Sequence, residues 1–255
     1  MLVALAFFPS PPLLVPEIAS GAAVELAGVR LACEVAVQAL LDENPDEIVV
    51  LGAGLGAGSG AEVIEHDGAA AGSFAGFGVD LVVGGPGPVL LPLALAVGAW
   101  LLDRAATTVP RAYLEVPADA GSKQVAELGA ALAGRPGRVA LAVMGDGSAG
   151  RTPKAPAAYD PRAAAYDASI AAALAGGDAE ALRALDAAAA TELVVAGRSA
   201  WQVAASAVLA ERAGTGEPYP AVRADLLSEA APYGVGYLVA TWRLGTVPSG
   251  DALSR

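Results

Sequence analysis

Residues 138–150, RVALAVMGDGSAG, decide the fold. Six apolar residues, Val139 to Met144, run into a tight polar loop of Gly145, Asp146, Gly147, Ser148 and Ala149. An apolar run that stops at two glycines flanking an aspartate is how a buried parallel strand delivers its loop to the carboxyl edge of a sheet, where α/β proteins place their ligands. The chain of 255 residues, 55% hydrophobic and 16% charged, is long enough to bury one large core.

Outward from that strand, the sequence alternates strand and helix. Toward the N-terminus, strands are expected over 2–8, 48–51, 79–83 and 111–116. Proline restricts itself and its predecessor, so residues 9–12 (PSPP) should form a non-helical loop. A helix is expected over 21–41, with Val24, Ala27, Leu31, Val35 and Leu40 facing inward and Glu25, Arg30 and Glu34 facing water. Further helices follow at 89–102, with Pro92 inside, and at 122–132. Strands separated by helices imply parallel pairing through right-handed crossovers. Toward the C-terminus an α-rich section follows residue 158. Asp160 and Pro161 read as N-cap and first turn of a helix to about 174, Asp178 caps a short helix through 185, and a third helix covers 188–212. Residues 214–220 read as a loop before closing strands at 225–230 and 236–242. The expected architecture is α/β: a mostly parallel central sheet with helices on both faces, in one domain over 1–255.

Charge and composition exclude several classes. A net charge of −12 repels phosphate backbones and anionic lipid, which argues against nucleic acid and membrane surfaces as partners. The apolar stretch 89–102 is shorter than the roughly 20 residues that span a bilayer. The start, 1–8, lacks the basic residue and small-residue cleavage pattern of a secretory signal, so it reads as a strand. One cysteine, Cys33, permits no internal disulfide, and a reducing, cytoplasmic location is the expectation.

Four stretches carry candidate chemistry: PSPPLLVPE at 9–17, the glycine-rich 52–60, the segment 145–154, and SEAAPYGVGY at 228–237. If the strands before the first three are parallel neighbours, their loops meet at one sheet edge and the fourth closes over it. The opening strand and proline loop, the GDGS run at 145–148, the Asp160–Pro161 helix start and APYGVGY at 231–237 together resemble the superfamily of class III extradiol ring-cleavage dioxygenases, in an uncharacterised branch. That resemblance covers nearly the whole chain. It implies an Fe(II) site with one histidine from the first loop, one from the loop after the second strand and a glutamate near the C-terminus, with an acid–base histidine after the G-D-x-S motif. It also implies that the chain forms homo-oligomers, for which the 89–102 helix offers an apolar face.

The residues depart from that pattern where the chemistry resides. By motif position the two ligand histidines fall at Ser10 and at Ala53 or Gly54, the acid–base histidine at Ala149, and the carboxylate at Glu229. A mononuclear Fe(II) site that activates oxygen needs two imidazoles and a carboxylate on one face of the metal. The chain has one histidine, His66, in the polar turn Glu65, His66, Asp67, Gly68, where an exposed loop position is expected. No cofactor is therefore expected.

Other chemistries have weaker support. Asp146, Glu229 and Glu17 are an all-oxygen set for a hard cation, but their spacing does not favour it, and Asp146 is expected to cap its own turn. Ser10 and Ser148 lack a histidine partner. Arg151 and Lys154 suggest a cationic rim for a small carboxylate or phosphate. Gly52, Gly54 and Ala57 match a dinucleotide fingerprint without the helix and acidic strand end it requires. Tyr233 and Tyr237 flank glycines beside the expected pocket, Trp100 and Trp201 read as core or interface anchors, and Trp242 ends a strand. The reading these residues support is a catalytically degenerate dioxygenase-like scaffold whose pocket, at Ser10, Pro12, Ala53, Gly54, Asp146, Ser148, Glu229 and Tyr233, binds a small molecule or a protein partner. The alternative is an active enzyme with a rebuilt, histidine-free site using Asp146, Glu229, Ser10 and Lys154.

Overall fold

A computed structural model describes residues 1–54, 62–215 and 221–245. The elements run β1 (Leu2–Phe8), α1 (Pro16–Ala19), α2 (Ala27–Leu41), β2 (Glu47–Ala53), β3 (Ile64–His66), β4 (Ala71–Ser73), β5 (Val82–Gly84), α3 (Leu93–Arg104), β6 (Arg111–Val116), α4 (Ser122–Ala133) and β7 (Val139–Met144). The chain continues through α5 (Ala163–Gly176), α6 (Ala179–Arg183), α7 (Ala187–Glu192), α8 (Arg198–Thr215), β8 (Ala221–Ala230) and β9 (Tyr237–Gly245). The main sheet has seven strands in the order β3-β6-β2-β7-β1-β9-β8. Its centre, β6-β2-β7-β1, is parallel throughout. β3 closes one edge and the β9–β8 hairpin the other, both antiparallel. The fold is α/β, as expected.

The alternation of β7 explains the two cores. Val139, Leu141 and Val143 point to a face covered by α4, α5, α6 and α8. Ala140, Ala142 and Met144 point to the other, covered by α2 and α3. All six side chains are buried, as a strand flanked by parallel neighbours on both sides requires. Small residues on the α3 side let the helix approach closely, and a methyl group at Gly98 would collide with Val50.

Several expectations need correction. In α2 the buried residues are Val29, Ala32, Cys33, Ala36, Val37, Ala39 and Leu40, whereas Val24, Leu31 and Val35 are exposed. Both sets satisfy helical spacing, and the small side chains of the first set permit tight packing on the sheet. The strand expected at 79–83 is Val82–Gly84, and it pairs with Ala71–Ser73 in a separate two-stranded sheet. The proline loop holds a 3-10 turn at Pro12–Leu14. Asp160 precedes its helix rather than capping it, with its carboxylate accepting from Arg162 N at 2.8 Å. The single helix expected at 188–212 is two, α7 and α8, broken at 193–197.

Helix α3 begins after Pro92 rather than at 89, its residues from Leu95 to Leu102 are buried, and Val89 and Leu90 before it are exposed. The tryptophans are core as well: Trp100, Trp201 and Trp242 are buried, and Trp242 Nε1 donates to Leu174 O at 2.7 Å. Cys33 is buried, which pushes its thiol pKa up. Among the described residues no helix is long and apolar enough to cross a membrane. The loop expected at 214–220 and the glycine run 52–60 fall partly outside the described residues.

Candidate functional site

The parallel strands β1, β2 and β7 end at the same edge, and their loops meet there. Gly145 N donates to Phe8 O at 2.8 Å, and Gly54 N donates to Val116 O at 2.8 Å. Ser10 N donates to Asp146 Oδ1 at 2.8 Å, which ties the loops after β1 and β7 together. Asp146 thus caps a neighbouring loop rather than its own turn. A cavity of about 480 Å³ opens over this edge. Ser10, Pro12, Ala53, Gly54, Asp146 and Tyr233 all line it, so six of the expected positions come together. Tyr237, Val235 and Ala196 close one side, and Pro92, Leu93 and Ala94 at the start of α3 close another.

Three expected residues lie elsewhere. Glu229 is exposed on the edge strand β8, and Ala149 and Ser148 are not in the lining. Ser148 is fully buried behind the cavity, where its N–H and its Oγ–H both donate to the Asp167 carboxylate at 2.8 Å. The Arg151 guanidinium lies 3.6 Å from the same carboxylate. Around this latch, Gly147 N donates to Gly236 O and Gly236 N donates to Ser148 O. Gly236 cannot carry a side chain, since a Cβ would sit 2.3 Å from Asp167 Oδ2. Asp167 was missed by motif reading, although it is the one charged residue in α5, AAAYDASIAAALAG, and an isolated charge in an alanine helix signals a buried partner.

Electrostatics separate these two aspartates. Burial raises the Asp146 pKa to about 6, against the single backbone hydrogen bond from Ser10. Burial also raises Asp167, opposed by both Ser148 bonds and Arg151. Tyr237 is raised by its burial and then by the nearby Asp146 charge, so its hydroxyl stays neutral at ordinary pH. The cationic rim expected from Arg151 and Lys154 does not form at the cavity: Arg151 faces Asp167, Lys154 is exposed, and neither lines the pocket.

His66 is not in an exposed turn. It lies on β3 with its side chain 10% exposed and Nε2 3.6 Å from Glu115 Oε2. The Glu115 carboxylate occupies the space a side chain at Gly54 would need, since a Cβ there would fall 2.1 Å from Oε1.

The ferrous site that the resemblance implies can be tested against these donors. The cavity lining offers one carboxylate, Asp146, with serine and tyrosine hydroxyls and no imidazole among the described residues. Position 54 has no room for a histidine unless Glu115 moves. Among the described residues no three His, Cys, Asp or Glu side chains are grouped to hold a metal. This donor set does not fit a two-imidazole, one-carboxylate iron centre. No helix opens at Gly52 or Gly54 to cradle a pyrophosphate, and Ala57 lies outside the described residues.

No protein-family model matches the chain, and no curated protein matches it. Among solved structures it is similar to the crystal structure of uncharacterized protein JW3007 from Escherichia coli K12, with a TM-score of 0.51 and 12% identity over 94% of this chain and 99% of that one. At that identity the likeness is one of fold.

Proposed function

We propose that this chain is a binding protein on a degenerate class III extradiol dioxygenase-like scaffold, and that its sheet-edge cavity holds one small, largely apolar molecule. The observation that carries the reading is the lining itself. Loops from β1, β2 and β7 converge on about 480 Å³ of space, a volume typical of small-molecule sites, yet present Ser10, Ala53 and Gly54 where a ring-cleaving enzyme would need imidazoles. A concave site of that size suits a small molecule.

The test uses the purified full chain. Saturation with a neutral monocyclic ligand should raise the unfolding midpoint, with about 2.7 kcal/mol of stabilisation expected at a hundred times Kd. Metal analysis should find no stoichiometric iron, and catechol should not be opened. Stoichiometric iron together with catechol cleavage would overturn the proposal.

One observation favours a second reading. A carboxyl group held near pH 6 in an apolar cavity beside Tyr237 is suited to proton transfer at neutral pH. Chemical turnover of a bound compound, lost in Asp146→Asn, would establish an acid–base enzyme instead.

A further inference from the structure

The donors in the described lining are neutral ones: the Ser10 and Tyr237 hydroxyls and the first-turn N–H groups of Leu93 and Ala94, which no side chain caps. Pro11, Pro12, Pro92 and Pro156 in its wall have no N–H at all. The N–H groups of Ser10, Gly54 and Gly145 are already given to Asp146, Val116 and Phe8. No Arg, Lys or His lines it among the described residues.

Acceptors, in contrast, are in place. Asp146 makes one hydrogen bond, through Oδ1, which leaves its second oxygen without a protein donor among the described residues. Tyr233 and Tyr237 stand in the same wall, and the Tyr233 hydroxyl is engaged outside the lining by the Glu25 carboxylate, with the Arg30 cation also near it. The net charge of −12 draws cations toward the protein generally. Against this stands the N-terminus of α3, whose dipole amounts to about half a positive charge and is weaker than a full carboxylate.

We infer that the cavity selects a primary ammonium compound with an apolar body, its ammonium set against Asp146. The inference rests on the pocket reading above and names the chemistry of its occupant. A ligand that brings a positive charge suits a described lining that holds a carboxylate and no cation. A carboxylate ligand would meet Asp146 with no cation between them.

Three probes sharing a phenyl body separate the outcomes: 2-phenylethylamine, 2-phenylethanol and phenylacetate, titrated calorimetrically into the full chain at pH 7.5. The amine should bind tighter than the alcohol by about tenfold, as a charge-assisted hydrogen bond implies, with phenylacetate weakest. In Asp146→Asn the gap between amine and alcohol should close. A titration series from pH 5 to 8 gives a second readout in the unmutated protein. Amine affinity should rise as Asp146 ionises around pH 6, while alcohol affinity should not rise with it. Tyr237, which faces Asp146, stays neutral through that range. Equal or tighter binding of the alcohol or phenylacetate, or a preference for the amine that survives Asp146→Asn, overturns the inference and leaves the pocket intact. Failure of all three probes to bind overturns the pocket reading and this inference with it.

Discussion

Asp146 in the loop after β7 and Asp167 in α5 both anchor that loop, and their burial and partners set them apart. Asp167 is fully buried and takes two hydrogen bonds from Ser148 and an ion pair from Arg151. Asp146 is half-buried, borders the cavity and takes one hydrogen bond, from Ser10. The first is a group whose bonding capacity is spent on holding the loop to α5 and to the turn after β8. The second keeps an oxygen in reserve. A buried charge with its bonds satisfied is structural, and one left with a free oxygen at a cavity wall is where a ligand can act.

The largest test of that contrast is Asp167→Ala. It strands the Ser148 N–H and hydroxyl and the Arg151 guanidinium, and should destabilise the protein by about 3–5 kcal/mol. Urea denaturation measures it; a loss below about 1 kcal/mol would show that the latch is dispensable.

Asp146→Asn should act in the opposite direction. The folded protein holds this proton to about pH 6, whereas an unperturbed aspartate releases it near 3.8. Between those values the folded state binds more protons than the unfolded state, so this group's contribution to stability falls as pH rises through the window and stays low above it. Removing the ionisation should therefore stabilise the protein at pH 7.5, by about 2–3 kcal/mol at most. The gain should vanish near pH 4. Because Asp167 titrates in the same sense, the informative quantity is the difference between the variant and the unmutated chain across pH. A destabilised Asn variant at neutral pH would contradict the assignment of Asp146 as an under-bonded group.

The smallest expected change is Ser148→Ala. It deletes one of the two bonds to Asp167 while the backbone N–H remains, and should cost about 1–2 kcal/mol in the same urea assay. An effect as large as that of Asp167→Ala would mean that the hydroxyl, rather than the carboxylate, organises the latch.

Much of this arrangement was legible beforehand. The strands 2–8, 111–116 and 139–144 could be read to the residue because each is an apolar run ended by proline or glycine. The convergence of Ser10, Ala53 and Asp146 followed from parallel pairing. The break between α7 and α8 had no such local signal. There the backbone bonds with the loop after β7, Ala149 N to Leu193 O and Gly197 N to Asp146 O, and Val194 adopts a φ of 54°. These are tertiary demands, invisible to helical periodicity. The α2 face was misread because apolar residues occupy both sides of the helix, and alanine and cysteine mark the packed side less loudly than leucine. The place of His66 depended on β3, a three-residue strand too short to leave a pattern.

The hydrogen bond from Ser10 to Asp146 joins residues 136 positions apart, and the cavity is completed by Tyr237 from a strand that pairs beside β1. No growing chain on the ribosome can possess this chamber until the β8–β9 hairpin has emerged and slotted against β1. Assembly of the site is thus a late, non-local event of the slow kind that such pairings impose, and a compound that fits the chamber would favour maturation by trapping the finished arrangement rather than by guiding any earlier step.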